Sequence, residues 1–374
     1  MLKNPFNLGS IIIFDVTIIG AGVVGLSIGK YFSQLGNSVL IIEKESRAGE
    51  GTSSRNSGVI HAGIYYPENS FKTRFCIEGN KMLYEYADEK NISHSKVGKY
   101  IVASQAGELN ALEKLYQQGI RNNVSLKYCS KEETEEAIPQ IVCSSALFSP
   151  ETGIIDVPEF ITALEGDIQH ENGIVSFNTE FISAKKSKNF FQISCNDGTN
   201  FSIQSKKLVN ASGLSSDLIS YKIDQLEKRY VFPINFAKGH YFKYSAPNPF
   251  SSLVYPLADE FSLGIHVGFD LSGQLRFGPD LTWIDSIDFS FDETLKEKFI
   301  NSIHRYWPDM DPKKLHPDYV GIRPKIQNNN EGMQDFSILG PKEHGIEGLI
   351  NLQGIESPGV TSALAIGKYV SSLL

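Results

Sequence analysis

The residues whose types and spacing could support chemistry begin with a glycine turn near the amino terminus, Gly20-Ala21-Gly22-Val23-Val24-Gly25. Before the turn, residues 14–19 form a short β-branched run that predicts a buried strand, and apolar residues recur at helical spacing after it. In such a unit, the first glycine permits the tight turn, the second lets the backbone approach a pyrophosphate, and the third lets the helix pack on the strand. The phosphates would lie at the helix amino terminus, where unpaired N–H groups favour negative charge.

An acidic residue completes this pattern. A second predicted strand, residues 38–42, runs into Glu43, and a carboxylate at that place can accept hydrogen bonds from an adenosine ribose. An acidic residue at a strand end is often only solvated, so the interpretation of Glu43 depends on the glycine turn before it. Together the two features predict a site for the ADP half of a dinucleotide, without separating FAD from NAD.

The next segment is a loop rich in Ser, Asn and Gly that offers many hydrogen-bond donors on a pliable backbone. In its form Ser-Gly-Val-Ile-His-Ala-Gly-Ile-Tyr-Tyr, residues 57–66, it resembles the flavin-contacting loop of the D-amino-acid oxidase superfamily and is similar to that of L-2-hydroxyglutarate dehydrogenases. This resemblance implies FAD as the cofactor. The loop residues that it implies as cofactor-binding are Thr52, Ser53, Ser54, Arg55, Asn56, Ser57, Gly58, His61, Ala62 and Gly63.

Three later segments extend the resemblance over nearly the whole chain, in the order of the family: residues 207–213, 319–324 and 349–361. The last is a second strand, glycine and helix unit, whose helix amino terminus could face the flavin pyrimidine and stabilise the anionic reduced ring. The remaining cofactor-binding candidates are Gly20, Ala21, Gly22, Val23, Val24, Gly25, Glu43, Lys44, Phe181, Ala211, Ser212, Gly213, Arg323, Gly354, Ile355, Glu356, Ser357, Pro358, Gly359, Val360 and Thr361.

Two residues are the leading candidates for chemistry on a 2-hydroxy acid. Arg323 lies where the superfamily carries a substrate-binding arginine, and a guanidinium holds a carboxylate through two parallel hydrogen bonds that lysine cannot reproduce. A surface arginine fixed before Pro324 is the alternative. His61 is the candidate general base because imidazole titrates near neutral pH, although a structural role in the loop is an equal alternative.

A stretch of alternating aromatic and polar residues, 230–277, predicts an antiparallel sheet, which in the resembling superfamily covers the flavin. Any of its polar residues is more often an ordinary sheet residue, but one or two could hold a second carboxylate. The candidates are Lys238, His240, Tyr241, Tyr255 and His266.

The sequence also departs from the family pattern. L-2-hydroxyglutarate dehydrogenases typically carry an Arg-Gly pair where this chain has Lys238-Gly239, and its carboxy-terminal motif is Ile-Glu-Ser-Pro-Gly-Val-Thr rather than an Asn-Ala-Pro-Ser-Pro type. These differences indicate a sister branch, and they leave the identity of the acid open.

Size and motif order predict the fold class α/β, with a Rossmann-like FAD-binding domain and a second, α+β substrate domain on a mostly antiparallel sheet. The FAD-binding domain is discontinuous, residues 1–82, 147–219 and 322–374, and residues 83–146 and 220–321 form the substrate domain. Residues 84–90 and 108–118 are predicted helices of the substrate domain.

Composition excludes several classes of function. A net charge of −8 without a basic block argues against nucleic-acid binding, and the four cysteines have neither disulfide nor zinc spacing. Residues 1–10 lack the features of a secretory signal. The apolar stretch 11–29 would bury Asp15 in lipid, which disfavours a membrane span. We therefore expect a cytoplasmic enzyme with buried thiols and no metal, and leave open its oligomeric state and peripheral contact with the inner membrane.

The favoured function is oxidation of L-2-hydroxyglutarate or a related 2-hydroxy acid by hydride transfer to flavin N5, with a quinone or other acceptor taking the electrons. The alternatives are an amine-side enzyme of the superfamily, acting on a D-amino acid, sarcosine or glycine, and a non-redox or RNA-modification-associated flavoprotein. Glycerol 3-phosphate oxidation is a further alternative, disfavoured because the sequence shows no additional basic cluster for a phosphate.

Overall fold

The computed structural model describes residues 13–257 and 264–374. The prediction made for residues 1–10 lies outside the described residues, as do the first two residues of the apolar stretch 11–29 and part of the predicted sheet, 258–263.

The described residues contain nine α-helices: α1 Val23–Gln34, α2 Phe71–Lys90, α3 Leu109–Arg121, α4 Lys131–Ala137, α5 Val157–His170, α6 Ser216–Ser220, α7 Lys296–His304, α8 Pro341–His344 and α9 Gly359–Leu373. Their strands are β1 Ile13–Ile19, β2 Val39–Ile42, β3 Val59–Ile60, β4 His94–Ser95, β5 Lys99–Ala103, β6 Lys127–Cys129, β7 Ser145–Ser149, β8 Gly153–Ile155, β9 Ile174–Ser176, β10 Glu180–Lys186, β11 Phe191–Asn196, β12 Asn200–Asn210, β13 Asn235–Tyr244, β14 Leu253–Pro256, β15 Val267–Phe269, β16 Leu275–Phe277, β17 Thr282–Ile284, β18 Leu315–Lys325, β19 Ser337–Leu339 and β20 Leu349–Gln353.

The first sheet is built around β1, which pairs in parallel with β2 on one side and with β12 on the other. Strand β9 extends it beyond β2, and β20 lies parallel to β12. Helices α1, α5 and α9 pack together against this sheet around a common apolar core. The last four residues of β1 are all buried, as expected for a strand covered on both faces.

The second sheet has nine strands in the order β17-β13-β16-β15-β14-β5-β7-β6, with β18 also paired to β13. Its pairings are antiparallel except for that of β14 with β5. Helix α7 contributes Phe299 and Ile303 to a separate apolar core on this sheet. The predicted fold class, an α/β nucleotide-binding part with a second, mostly antiparallel sheet, is confirmed.

The predicted residue bounds of the two domains stay a prediction, and all four of them fall inside continuous elements, namely 82 in α2, 146 in β7, 219 in α6 and 321 in β18. The bound at 82 lies within α2, whose residues 84–90 pack with the core of the first sheet, and α2 contacts α9 along its length. The bound at 321 lies within β18, which belongs to the second sheet. The predicted helices 84–90 and 108–118 correspond to the end of α2 and to α3.

All four cysteines are buried free thiols, as predicted. Among the helices of the described residues, none combines the length and the apolar character that crossing a bilayer requires.

Candidate active site

The glycine turn lies between β1 and α1, and two of its glycines are required by geometry. Gly20 has a φ of +102°, and a side chain there would place its Cβ 2.7 Å from the carbonyl oxygen of Ala211 at the end of β12. A Cβ on Gly25 would collide with the carbonyl oxygen of Gly20, so only glycine lets α1 approach the turn. The turn is therefore pressed between its own helix and the neighbouring strand.

Helix α1 begins with open backbone donors. Its N-cap residue, Gly22, supplies no side-chain hydrogen bond, and the first turn contains no acidic residue. The Val23 N–H donates to Ser53 Oγ at 3.2 Å. Such a helix start can accept an anionic group from the cavity that it faces.

Glu43 lies at the carboxyl end of β2, beside the turn. Its carboxylate accepts hydrogen bonds from the Ala21 N–H at 2.7 Å and from the Glu45 N–H at 2.9 Å. Each carboxylate oxygen has a second lone pair, so the group can still accept from a ligand hydroxyl. The structure thus gives Glu43 a second task, which is to hold the backbone of the glycine turn.

A single continuous cavity of about 650 Å³ runs from Glu43 and the glycine turn to the second sheet. Most of the predicted site residues line it: Gly20, Gly22, Val23, Val24, Glu43, Lys44, Thr52, Ser53, Arg55, Asn56, Ser57, His61, Phe181, Ala211, Ser212, Gly213, Tyr241, Tyr255, His266, Arg323, Gly354, Ile355, Glu356, Ser357, Pro358, Gly359 and Val360. Those that lie outside its lining are Ala21, Gly25, Ser54, Gly58, Ala62, Gly63, Lys238, His240 and Thr361.

His61 follows β3 and is held by its backbone. Its N–H donates to Thr361 Oγ1 of α9 at 3.0 Å, and its carbonyl oxygen accepts from Asn80 Nδ2 at 2.9 Å. In the ring, Nε2 lies 3.4 Å from Ser357 Oγ, and Nδ1 is buried without a hydrogen-bond partner among the described residues. The imidazole is therefore fixed in place, and Nε2, whose contact with Ser357 is long, is the ring nitrogen that can face a ligand because Nδ1 is buried.

The environment of His61 keeps its imidazole neutral. Burial, together with the positive charges of Lys99 and Arg323, lowers its pKa to about 3. A neutral imidazole can accept a proton, as a general base must.

Arg323 reaches the same end of the cavity from β18, where it pairs with Ala237 of β13. Its guanidinium is half-buried and forms no ion pair or hydrogen bond with another described residue. A cavity-lining guanidinium whose donors are open in this way suits a carboxylate ligand.

Aromatic rings close this end of the cavity. Tyr241 stacks on Tyr319 with ring centroids 4.4 Å apart, and the Tyr319 hydroxyl donates to the carbonyl oxygen of Asn56 at 2.8 Å. Tyr255 stacks on His266 with centroids 3.6 Å apart. These rings would shield a reacting carbon from water.

The predicted candidates Lys238 and His240 point away from the cavity, which corrects their proposed role. Successive residues of a strand face opposite sides of the sheet, and Gly239 and Tyr241 of β13 are the ones that line the cavity. Lys238 instead pairs with Asp288 at 2.9 Å, and His240 Nδ1 lies 2.9 Å from Asp280. These contacts join β13 to the loops before and after β17.

Sequence reasoning recognised Glu356 only as a motif residue and missed its buried ion-pair cluster. Glu356 is 7% exposed, and its carboxylate accepts from Lys325 Nζ at 2.7 and 2.8 Å and from Lys72 Nζ at 2.9 Å. Lys72 lies on α2 and Lys325 on β18. Lys72 and Glu356 are more than two hundred residues apart in the sequence. No local signal in the sequence could have connected the three.

The residues that line the cavity fit FAD. Two uncapped helix starts, those of α1 and α9, face it, and neither has an acidic residue in its first turn. The first would meet the diphosphate and the second the flavin pyrimidine. The Lys72–Glu356–Lys325 cluster, with two cations and one anion, adds a net positive charge beside the second. Among the described residues, no group of side chains is suited to hold a metal ion.

Comparison with known proteins agrees with this geometry. The sequence model of a family described as DAO, FAD dependent oxidoreductase, matches residues 15–373. The chain is 37% identical to mitochondrial L-2-hydroxyglutarate dehydrogenase of Arabidopsis thaliana, covering 96% of this chain and 83% of that protein. It is 32% identical to a glycerol 3-phosphate dehydrogenase of Caloramator mitchellensis, covering 96% and 74%. The fold is similar to that of dithionite-reduced L-alpha-glycerophosphate oxidase from Mycoplasma pneumoniae with FAD bound, with a TM-score of 0.87, 25% identity and coverage of 97% and 95%.

Proposed function

Because this chain belongs to the DAO family of FAD-dependent oxidoreductases, we propose that it oxidises a 2-hydroxy acid, L-2-hydroxyglutarate before others, to the 2-oxo acid. The observation that carries this proposal is that two side chains lie at the same end of the cavity: the guanidinium of Arg323, which has no anionic partner, and the neutral imidazole of His61. A quinone or another acceptor would take the electrons. The similarity to L-2-hydroxyglutarate dehydrogenases supports the choice of acid.

In this reaction, bound FAD supplies the hydride acceptor, flavin N5. Arg323 binds the carboxylate next to the reacting carbon through two parallel hydrogen bonds, which fixes the orientation of that carbon. His61 accepts the hydroxyl proton on Nε2, its accessible ring nitrogen, while the C–H bond breaks. Tyr241 and Tyr255 exclude water from the reacting carbon.

Substrate binding should make His61 a stronger base. The positive charges of Lys99 and Arg323 contribute to the low pKa of the free imidazole. A bound carboxylate compensates part of that charge, so it raises the pKa of His61 when the substrate is in place. The site would thus hold a neutral base before binding and strengthen it afterwards.

The neutral state of His61 predicts the acid side of the pH profile. For the free enzyme, kcat/KM should show no loss of activity as pH falls through the ordinary histidine pKa of 6.5, because His61 stays unprotonated until about pH 3. The measurement is kcat/KM across the range in which the holoenzyme is stable. An acid limb near 6.5 that disappears in His61→Gln would contradict a neutral His61.

Arg323→Lys tests the carboxylate clamp. Lysine keeps the positive charge but loses the planar fork, so KM for L-2-hydroxyglutarate should rise about tenfold or more with FAD retained. As a control, Arg305→Lys changes an arginine at the exposed end of α7 that pairs with Glu108, and it should leave KM unchanged. An unchanged KM in Arg323→Lys would remove the bidentate contact from the mechanism.

Glycerol 3-phosphate is the second candidate substrate. It is supported by 32% identity to a protein named glycerol 3-phosphate dehydrogenase and by the fold similarity to an L-alpha-glycerophosphate oxidase. In that reaction Arg323 would meet a phosphate instead of a carboxylate.

The decisive experiment adds candidate substrates anaerobically to the purified holoenzyme and follows bleaching of the flavin absorbance. The panel contains L-2-hydroxyglutarate, its D enantiomer as a matched control, glycerol 3-phosphate, glycine, sarcosine and D-amino acids. We expect rapid bleaching by L-2-hydroxyglutarate alone. Bleaching by glycerol 3-phosphate alone would establish the second candidate, and bleaching only by the amino compounds would overturn oxidation of a hydroxy acid.

A further inference from the structure

Lys99, the first residue of β5, is a buried lysine that the mechanism so far does not use. Its side chain is 1% exposed, and its Nζ lies between two aromatic rings, 4.7 Å from the centroid of Tyr65 and 4.6 Å from that of Tyr255. No hydrogen bond or ion pair of the Lys99 ammonium to a described residue is found.

The other buried lysines of the described residues all have polar partners. Lys72 and Lys325 pair with Glu356, Lys238 pairs with Asp288, and Lys30 donates to Gln34 Oε1 at 3.0 Å. Cation–π contact with two rings offsets only part of the desolvation free energy of a buried ammonium. Among the buried lysines that the structure describes, Lys99 is therefore the exception in lacking any polar partner for its ammonium, and an anionic ligand would supply one.

The place of Lys99 connects it to the candidate active site. Tyr255 lines the cavity, and its ring contacts both Lys99 Nζ and the stacked ring of His266. His61 is within electrostatic reach of both Lys99 and Arg323. These two cations come from different strands, β5 and β18, so the neutral imidazole has a positive charge from each of two elements.

We infer that Lys99 supplies the positive charge for the distal carboxylate of a dicarboxylic substrate, and that it makes the site selective for dianions over monoanions. This inference rests on the proposed oxidation of a 2-hydroxy acid. Arg323 holds the carboxylate beside the reacting carbon, and the second carboxylate lies toward Tyr255 and Lys99. Tyr65 and Tyr255 restrict the route to the ammonium, so the length of the acid is selected as well as its charge.

The titration of Lys99 offers a signature that a purely structural lysine would not give. Burial lowers its pKa to about 7, so the free site carries this charge below pH 7 and loses it above. A bound carboxylate favours the protonated form, so affinity for a dianion should be constant below pH 7 and fall as pH rises beyond it.

The groups around Lys99 separate this signature from others. Burial raises the pKa of Tyr65, Tyr255 and Cys76, and His61 stays neutral down to about pH 3, so none of these four titrates near pH 7. Guanidinium groups in proteins are not deprotonated in this pH range, so an arginine does not produce a change near pH 7. His266, which stacks on Tyr255, is retained when Lys99 is replaced, so a Lys99 variant distinguishes the titration of Lys99 from that of His266.

The test measures binding to the holoenzyme through the change in flavin absorbance, with glutarate and pentanoate as probes. These acids have carbon chains of the same length and differ in the second carboxylate. Wild type should bind glutarate about 10- to 100-fold more tightly than pentanoate. Lys99→Met replaces the ammonium by an apolar side chain of similar length. This variant should lose the preference for glutarate and the decrease in glutarate affinity above pH 7, while its affinity for pentanoate stays unchanged.

A matched control is Lys30→Met. Lys30 is also buried, and its Nζ lies 4.7 Å and 5.3 Å from the ring centroids of Tyr31 and Tyr86. Neither of these rings lines the cavity, whereas Tyr255 beside Lys99 does. Lys30→Met should retain the preference for glutarate. Each variant is compared by FAD content and melting temperature, and Lys99→Met is expected to fold because it removes an uncompensated buried charge.

Three results would overturn the assignment of Lys99: no preference for glutarate in wild type, an unchanged preference in Lys99→Met, or an equal decrease in the affinity of Lys99→Met for both acids. Binding of glycerol 3-phosphate that depends on Lys99, in a protein that does not bind glutarate, would overturn the carboxylate assignment. If glutarate binding depends on Lys99 but L-2-hydroxyglutarate leaves the flavin oxidised, the proposed reaction fails and the role of Lys99 stands.

Discussion

Replacement of His61 by glutamine should slow the reduction of the flavin by L-2-hydroxyglutarate by about 10²- to 10⁴-fold, the usual contribution of a positioned general base. Glutamine can still form a hydrogen bond with Ser357, as His61 Nε2 does at 3.4 Å, but it cannot take up a proton. The measurement is the rate of anaerobic flavin bleaching in a single turnover at saturating substrate.

Two comparisons make this result specific. FAD content should match that of wild type, because the hydrogen bonds to Thr361 and Asn80 are formed by the backbone of residue 61, which glutamine also provides. Ser357→Ala removes the hydrogen-bond partner of His61 and retains the imidazole. Its rate of flavin reduction should therefore decrease much less than that of His61→Gln. A His61→Gln enzyme that reduces its flavin at the wild-type rate would give His61 a structural role only.

Replacement of Glu356 by glutamine should destabilise the protein by about 3–5 kcal/mol, because it leaves two buried ammonium groups without a counter-charge. Burial by itself would raise the pKa of Glu356, but the charges of Lys72, Lys325 and Arg323 outweigh burial and lower it. A lowered carboxyl pKa stabilises the folded state above the ordinary value of 4.5, and this contribution is lost as pH falls toward the lowered value. Urea unfolding of the apoprotein as a function of pH measures both effects.

A compensating variant tests whether charge is the cause. Replacing all three members of the cluster by apolar residues, Lys72→Met with Glu356→Leu and Lys325→Met, removes every buried charge at once. This variant should be more stable than Glu356→Gln, since loss of a complete buried cluster is far less costly than loss of one partner. Equal destabilisation of the two variants would assign the effect to packing. Glu343→Gln, at the start of the short helix α8, is the exposed control.

The nucleotide end of the site could be predicted from the sequence because its determinants are local. The β-branched run of β1, the glycine turn and the apolar face of α1 are contiguous. Gly20 and Gly25 each meet a backbone atom, supplied by the end of the neighbouring strand and by the motif itself. The resemblance of residues 52–66 to a flavin loop added the choice of FAD, which the family comparison confirms.

The substrate end was predicted less well because it depends on which face of a strand meets the cavity. The aromatic and polar alternation of β13 identified a sheet but not its orientation, so Tyr241, which lines the cavity, and Lys238 and His240, which do not, were equally plausible. The pairing of β13 with β18 brings Ala237 opposite Arg323, and this register is set by contacts between distant segments.

The sequence by itself determined that the chain forms an α/β dinucleotide fold, that its cofactor is FAD, and that Arg323 and His61 were the residues to examine. Only the tertiary structure decided which charges are buried and whether they are paired. It enclosed Lys72, Glu356 and Lys325 in one cluster and left Lys99 between two tyrosines without an anion. The physical reason is that the free energy of burying a charge depends on its solvent exposure and on its partners in space. Neither of these can be predicted from the neighbouring residues in the sequence.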